Sequence, residues 1–145
     1  MRFMVIVKAT AESEKEGALP DPQLVAEMNK FTDELVAAGV VLGYEGLHPS
    51  SKGARIKISG KNRTVTDGPF AETKELIAGF SIWQVKSLEE AIEWAKRGPN
   101  CSAGEYEIEI RQVFEPEDFA YGFSEEEIQQ EKELRAQLAA QAAKK

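Results

Sequence analysis

The residues best suited to chemistry lie in one run, Asp67 to Glu75, which contains three carboxylates and one ammonium. The preceding residues, Thr64-Val65-Thr66, are β-branched and favour a strand. Gly68-Pro69 then forces a sharp turn, because proline has no N–H to donate and restricts the residue before it. The sequence therefore predicts that Asp67 lies at a strand end on a rigid turn, where it could act as a general acid, a general base or an orienting group.

Structural roles are an alternative for the same residues. An aspartate before Gly-Pro commonly accepts hydrogen bonds from its own turn, and Glu72, Lys74 and Glu75 are typical of a solvated charge run. The catalytic interpretation requires burial to shift the pKa values of Glu72 and Glu75. One of the two could then serve as a general base beside the Lys74 ammonium. Both interpretations stay open at the level of sequence.

A second group of candidates lies outside this run. His48 is the only imidazole, and its neighbours predict a loop on the connection that leads towards Asp67. If the two side chains meet, the carboxylate can orient the imidazole for acid–base catalysis. The candidates for substrate binding are the cations Arg55, Arg63 and Lys74, which suit an anionic group, and the aromatic side chains Tyr44, Phe70 and Trp83.

Composition argues against several classes of function. The 145-residue chain has a net charge of −7 and no basic stripe, which disfavours binding to nucleic acid. No apolar run approaches the roughly 18 residues that span a bilayer, and no secretory signal is visible, so we expect a soluble cytoplasmic protein without membrane contacts. The single Cys101, predicted to lie in a loop, excludes an internal disulfide. One histidine with scattered carboxylates predicts no metal site, and no motif indicates a cofactor.

The chain order predicts two βαβ units around a hairpin. Residues 2–8 form an apolar run typical of a central strand. Residues 76–85 predict a further strand, in which Gly79 marks a bulge or a close approach of another backbone. Residues 40–44 predict an additional strand, and residues 55–59 and 63–66 a hairpin through Gly60-Lys61-Asn62. A helix with one buried face is predicted from the spacing of Leu24, Met28, Phe31 and Leu35.

A second helix is predicted after Ser87, which forms a capping box with Glu90. Its expected buried residues are Leu88, Ala91, Ile92 and Ala95, and a final strand is predicted from the alternation of Tyr106, Ile108 and Ile110 with charged residues. The sum is an α+β fold of split βαβ plan, with both helices on one face of an antiparallel sheet. Because the other face remains apolar, we expect a homodimer through it.

The composition changes after Val113. Pro116 and Gly122 mark a linker, and Ser124 with Glu127 predicts the capped start of a polar helix. We therefore expect one domain over residues 1–115, followed by a linker and C-terminal helical extension over residues 116–145. Such a helix is marginally stable alone, which makes it a candidate contact for a protein partner.

The nine residues from Asp67 to Glu75 (DGPFAETKE), followed by Gly79-Phe80, closely resemble the signature of DGPF-domain proteins in the YCII-related family. The resemblance extends to Phe3-Met4, GYEGLHP at residues 43–49 and Glu93-Trp94-Ala95, and so covers about residues 1–115. It implies a ferredoxin-like fold with an inserted hairpin, which pairs into a dimeric α+β barrel. YCII relatives are associated with a His–Asp pair. Asp67 lies within the DGPF motif and is the candidate aspartate of such a pair, whereas His48 does not lie in a motif that can be aligned with those relatives.

Two functions follow from the resemblance and the residues together. The dimeric α+β barrels include cofactor-free enzymes that act on small substrates by proton transfer, which implies a small-molecule-binding protein or acid–base enzyme. Its pocket is expected between the sheet and the loops at residues 10–20, 46–52 and 67–75. Alternatively, DGPF-like domains occur in company with transcription-initiation sigma factors, which implies a non-catalytic interaction or regulatory module. The sequence does not decide whether the protein is an enzyme.

Overall fold

The computed structural model describes residues 1–100, 102 and 104–144, and Cys101 lies outside the described residues. The chain divides into two compact units, Met1–Gln112 and Val113–Lys145. Among its described residues, the first unit contains two α-helices and six strands: β1 (Arg2–Lys8), α1 (Pro22–Ala37), β2 (Val41–Gly46), β3 (Ala54–Ser59), β4 (Asn62–Asp67), β5 (Ile77–Gln84), α2 (Leu88–Lys96) and β6 (Ile108–Gln112). The mixed α+β class with antiparallel pairing agrees with the prediction.

Four of these strands form one antiparallel sheet in the order β2-β5-β1-β6. The central position of β1 was predicted from its apolar run, and β5 is the second central strand. Phe3 lies opposite Trp83 and Val5 opposite Ser81, so these four side chains share one face of the sheet. This strand order is that of the split βαβ plan.

The hydrophobic core lies between that face and the helices. Phe3, Val5 and Trp83 pack with Leu35 of α1 and Ala91 of α2, and all five are buried. The predicted face of α1 is confirmed, because Leu24, Met28 and Phe31 are half-buried on the same stripe as Leu35. The core therefore fixes α1 over the sheet.

Two predictions for α2 were wrong. Leu88 and Ile92 are 42% and 37% exposed, whereas Trp94 and Ala95 pack against the core beside Ala91. A helix this short presents one stripe to the sheet, and the large indole of Trp94 takes the place expected for the two aliphatic residues. The cap is confirmed in part: the Ser87 hydroxyl accepts from Glu90 N–H at 3.1 Å, as a capping box requires, but the Glu90 carboxylate accepts from Lys86 N–H and not from Ser87 N–H.

The sheet face away from the helices is also apolar at its centre. Met4 lies opposite Ile82 and Ile6 opposite Phe80, one register step from the core residues. All four side chains are half-buried. They form a continuous apolar patch across the two central strands, which we call the open face.

The hairpin of β3 and β4 forms a separate two-stranded sheet. Ser59 pairs with Asn62, so the turn consists of Gly60 and Lys61 alone, and each strand is slightly longer than predicted. All residues of both strands are exposed. The predicted hairpin is therefore confirmed as an arm with two solvent-facing sides.

The second unit contains a 3-10 helix (Pro116–Phe119) and the long helix α3 (Glu125–Ala143), which confirms the predicted C-terminal helix and its Ser124–Glu127 capping box. A hydrogen bond from Lys132, at 2.9 Å, lowers the pKa of the Glu117 carboxyl below its ordinary value. The ring centroids of Phe114 and Phe119 lie 5.1 Å apart. Within the described part of the chain, no helix combines the length and the apolar character needed to cross a membrane.

Candidate functional site

Three loops leave the sheet at the same end. Val7 of β1 and Gly46 of β2 both lie opposite Gly79 of β5, so β1 and β2 end where β5 begins. The loops that follow β1 and β2, and the loop that enters β5, are therefore neighbours. These three loops are the segments in which the candidate site was predicted from the sequence.

Ser50 joins the three loops through hydrogen bonds. The Glu14 carboxylate accepts from the Ser50 hydroxyl at 2.6 Å and from the Ser50 backbone N–H at 3.1 Å. The same hydroxyl accepts from the backbone N–H of Phe70 at 3.1 Å. Sequence reasoning missed both Glu14 and Ser50, because they lie 36 residues apart and neither belongs to a recognisable motif.

Gly68 fixes the turn after β4 against the same loop. Its N–H donates to the carbonyl of Gly53 at 3.0 Å. A Cβ atom built on Gly68 would overlap the carbonyl oxygen of Ser50, so only glycine fits at this point. The Gly68-Pro69 bond is cis. The turn that carries Asp67 therefore contacts the backbone around Ser50 directly.

The predicted catalytic residues lie around these loops and are all exposed. Asp67 ends β4 opposite Ala54, and His48 lies in the loop after β2. No hydrogen bond or ion pair joins their side chains in the described part of the chain. Glu72 precedes a short 3-10 helix, Thr73–Glu75, which carries Glu75 and Lys74. The structure brings the segments together without forming a His–Asp pair.

Five of the predicted substrate-binding residues separate into three places. The guanidinium of Arg55 stacks over the ring of Phe70 at 3.9 Å, which ties the hairpin to the loop after β4. Arg63 instead donates to the carbonyl of Gly60 at the hairpin turn, at 2.8 Å. Tyr44 and Trp83 lie elsewhere, in the wall of a pocket on the helix side of the sheet.

This pocket has a volume of about 180 Å³ and lies between α1 and the sheet. Most of its wall is apolar: Val5 and Val7 from β1, Phe31 and Leu35 from α1, and Ile108 from β6. Gly79 and Ser81 contribute from β5, beside the indole of Trp83. The pocket reaches the sheet end at Gly79, but its lining includes no residue of the loops at 10–20, 46–52 and 67–75, so the predicted position of the pocket was wrong. The helix α1 covers this face of the sheet and forms the wall that was expected from the loops.

The pocket wall contains few polar groups, and two of them are already engaged. The Thr32 hydroxyl donates to the Met28 carbonyl at 2.8 Å, and the Tyr106 hydroxyl donates to the Pro99 carbonyl at 2.9 Å. Among the described residues, the buried indole N–H of Trp83 finds no hydrogen-bond acceptor. A buried donor without an acceptor typically costs about 1–3 kcal/mol.

A comparison with known protein families relates this chain to others. A sequence model of the YCII-related domain matches residues 1–116. The chain belongs to the YCII-related family. This YCII-related chain is also 32% identical over 98 residues to an uncharacterised protein of Rhizobium meliloti, an alignment that covers 66% of the chain and 79% of the relative.

Within this YCII-related domain, the acidic and basic candidates lie outside the pocket wall. The ionisable residues in that wall include Glu45, which sequence reasoning missed although it adjoins the predicted Tyr44. In the described part of the chain, no three His, Cys, Asp or Glu side chains come together as a metal-binding group. The YCII-related site thus consists of an apolar pocket and, separately, a rigid loop cluster that carries Asp67.

Proposed function

We propose that this YCII-related protein binds a small, mostly apolar molecule in the pocket between α1 and the sheet. The observation that carries the proposal is the buried indole N–H of Trp83, which lacks an acceptor although the ring lines the pocket. The nitrogen itself has almost no accessible area, so a ligand that accepts from this N–H must displace neighbouring side chains as it enters. Evolution rarely retains an unpaired buried donor without a compensating role, so the unpaired N–H favours a ligand.

The size and lining of the pocket define the class of ligand. Cavities of about 150 Å³ lined by aliphatic and aromatic side chains hold a single benzene ring. The pocket, at about 180 Å³, has similar walls, and it has few polar groups to hold a strongly charged molecule. The proposed ligand is therefore a single-ring compound with one carbonyl or hydroxyl acceptor.

Proton transfer without a cofactor is the chemistry we propose for this ligand. Asp67 supports this part of the proposal, because its turn is held in place by the hydrogen bond from Gly68 N–H to the Gly53 carbonyl and by the close contact between Gly68 and the Ser50 carbonyl. Because Asp67 lies outside the pocket wall, this role requires a bound molecule that extends from the pocket to the loop end of the sheet, within hydrogen-bond reach of the carboxylate. The acid–base role of Asp67 is thus separable from binding in the pocket.

The proposed assembly is a homodimer that completes an α+β barrel. Met4, Ile6, Phe80 and Ile82 form the open face, and two such faces can cover one another about a two-fold axis. Sheets that pack face to face bury side chains of this type at about 10 Å separation. The apolar character of the open face supports this arrangement.

A thermal-shift screen with single-ring carbonyl and hydroxyl compounds tests the pocket. A compound present at about 100 times its Kd should stabilise the wild type by nearly 3 kcal/mol, a shift of several degrees. Ser81→Leu should abolish the shift, because Ser81 lines the pocket floor between Val5 and Tyr44. Gln84→Leu, on the exposed end of the same strand, should retain it.

The same screen separates binding from catalysis. Asp67→Asn should keep the thermal shift, since Asp67 lies outside the pocket wall, and should abolish turnover of any compound that the wild type converts. A shift that survives Ser81→Leu would contradict the pocket proposal. Turnover that survives Asp67→Asn would contradict the acid–base role alone.

A second candidate function is an interaction module for a transcription-initiation sigma factor. The exposed apolar residues of the C-terminal unit favour it, since Leu134 and Leu138 of α3 are 47% and 63% exposed. If this function holds, immobilised full-length protein should capture a purified sigma factor, and the pair L134E/L138E should lose at least about 90% of the bound factor. Gln137→Glu, an exposed change on the same helix, should leave capture unchanged. Equal capture by all three proteins would exclude α3 as the contact.

A further inference from the structure

One side of the β3–β4 hairpin carries two cations and two hydroxyl groups. Arg55 lies opposite Thr66 and Lys57 opposite Thr64, and the two pairs are neighbours on one side of the ribbon because side chains alternate along a strand. All residues of both strands are exposed. Each of these four side chains can donate hydrogen bonds. We call Arg55, Lys57, Thr64 and Thr66 the donor face.

No acidic side chain of the hairpin neutralises the donor face. Asp67, the hairpin's carboxylate, lies opposite Ala54 and therefore on the other side of the ribbon, which Arg63 shares. Within the described part of the chain, neither Arg55 nor Lys57 forms an ion pair. Two positive charges are thus left without a counter-charge in a chain whose net charge is −7.

Stacking holds the guanidinium of Arg55 in place. It lies over the ring of Phe70 at 3.9 Å, and the backbone N–H of Phe70 in turn donates to the Ser50 hydroxyl. A guanidinium that stacks by its face keeps its edge N–H groups available, and these form the planar fork that binds two oxygens of one anion. A side chain ordered before its ligand arrives also loses less entropy on binding. Arg55 is therefore preorganised for bidentate contact with an oxyanion.

We propose that the donor face binds the phosphate group of a small phosphate monoester. Such a group carries a charge of about −1.5 to −2 and three acceptor oxygens at pH 7, which matches one guanidinium, one ammonium and two hydroxyls. Arg55 and Lys57 lie two residues apart on one strand, with about 7 Å between their Cα atoms, so both long side chains can reach one phosphate. A carboxylate offers a single charge and would leave one of the two cations unpaired.

A nucleic acid fits the donor face less well. Each of its phosphates is a diester with one negative charge, and the acidic remainder of a chain with net charge −7 repels the phosphates on either side. The donor face also lies apart from the pocket, since none of its four residues lines the pocket wall. The phosphate site is therefore tested independently of the apolar ligand.

Titration of the 15N-labelled protein with methyl phosphate, followed by amide chemical shifts at constant ionic strength, tests this site. The wild type should show saturable shifts at the four residues of the donor face, with a Kd of about 1 mM or lower. Lys57→Gln should raise this Kd at least about ten-fold, because it removes a charge-assisted hydrogen bond. Lys61→Gln removes the same charge from the hairpin turn, outside the donor face, and should leave the Kd within about two-fold of the wild type.

Two further titrations test the fork and the class of phosphate. Arg55→Lys keeps the charge but lacks the planar fork, so it should also weaken methyl phosphate binding about ten-fold. Dimethyl phosphate, the matched diester, should bind the wild type at least about ten-fold more weakly than methyl phosphate does.

Three results would overturn the proposal. The first is a wild-type titration whose shifts rise without saturation, and the second is an equal Kd for Lys57→Gln and Lys61→Gln. The third is a single-stranded DNA oligonucleotide that binds more tightly than methyl phosphate and loses this binding in Lys57→Gln, which would assign the donor face to a nucleic acid.

Discussion

Replacing Gly68 with alanine is expected to lower the free energy of unfolding by about 3 kcal/mol. The new Cβ would overlap the carbonyl oxygen of Ser50 and crowd its carbonyl carbon, which are backbone atoms that a rotamer change cannot move. The turn after β4 must then lift away. Its movement breaks the bond from Gly68 to Gly53 and the bond from Phe70 N–H to the Ser50 hydroxyl. Urea unfolding followed by circular dichroism measures the loss.

Gly53→Ala is the matched control for this change. A Cβ on Gly53 would lie 3.6 Å from the same Ser50 carbonyl oxygen, an ordinary van der Waals contact. The backbone φ of Gly53 is −121°, which alanine adopts without strain. The control should therefore change the stability by no more than about 1 kcal/mol. Equal unfolding midpoints for the two variants would show that the turn does not rest on Ser50.

Gly79→Ala is expected to lower the free energy of unfolding by about 2 kcal/mol and also to weaken ligand binding. A Cβ on Gly79 would lie 2.8 Å from the carbonyl oxygen of Glu45 and 3.3 Å from the Cα of Gly46. The edge strand β2 must therefore move away from β5. Because Gly79 and Glu45 both line the pocket, the movement changes its shape as well.

The control for this second change lies on the opposing strand. Gly43 belongs to β2, pairs with Ile82 of β5, and has no atom within 4 Å of a Cβ built on it. Gly43→Ala should leave both the unfolding midpoint and the thermal shift of a bound compound close to the wild-type values. If Gly79→Ala binds the compound as well as Gly43→Ala does, the pocket does not depend on the spacing of β2 and β5.

Local patterns were sufficient to predict most of the fold. The central strand β1 follows from its apolar run, β5 was predicted as a strand, and α1 follows from the spacing of Leu24 to Leu35. Gly79 was also anticipated as a point of close backbone approach, and its distance to Glu45 confirms this. These features depend on residues a few positions apart or on the backbone geometry that a glycine permits, and both can be inferred from local sequence.

Features that depend on distant partners were not predictable in the same way. The turn that carries Asp67 was identified, but its support, Ser50 with Glu14, arises from residues 36 positions apart in the chain. On α2, Ala91 and Ala95 pack as predicted, but Leu88 and Ile92 are exposed because Trp94 packs against the core in their place. Similarly, local sequence cannot show whether His48 meets Asp67, since that distance depends on how two loops fold over one another.

The missing side chain at Gly79 serves two purposes at once, and this limits how the pocket can change during evolution. The same empty position allows β2 to approach β5 and leaves part of the pocket wall without a side chain. A larger residue there would alter the strand spacing and the pocket volume together, so substitutions at this position cannot adjust ligand size alone. Divergence towards smaller or larger ligands should therefore be found on α1, where Met28 and Thr32 line the pocket without supporting a strand pair.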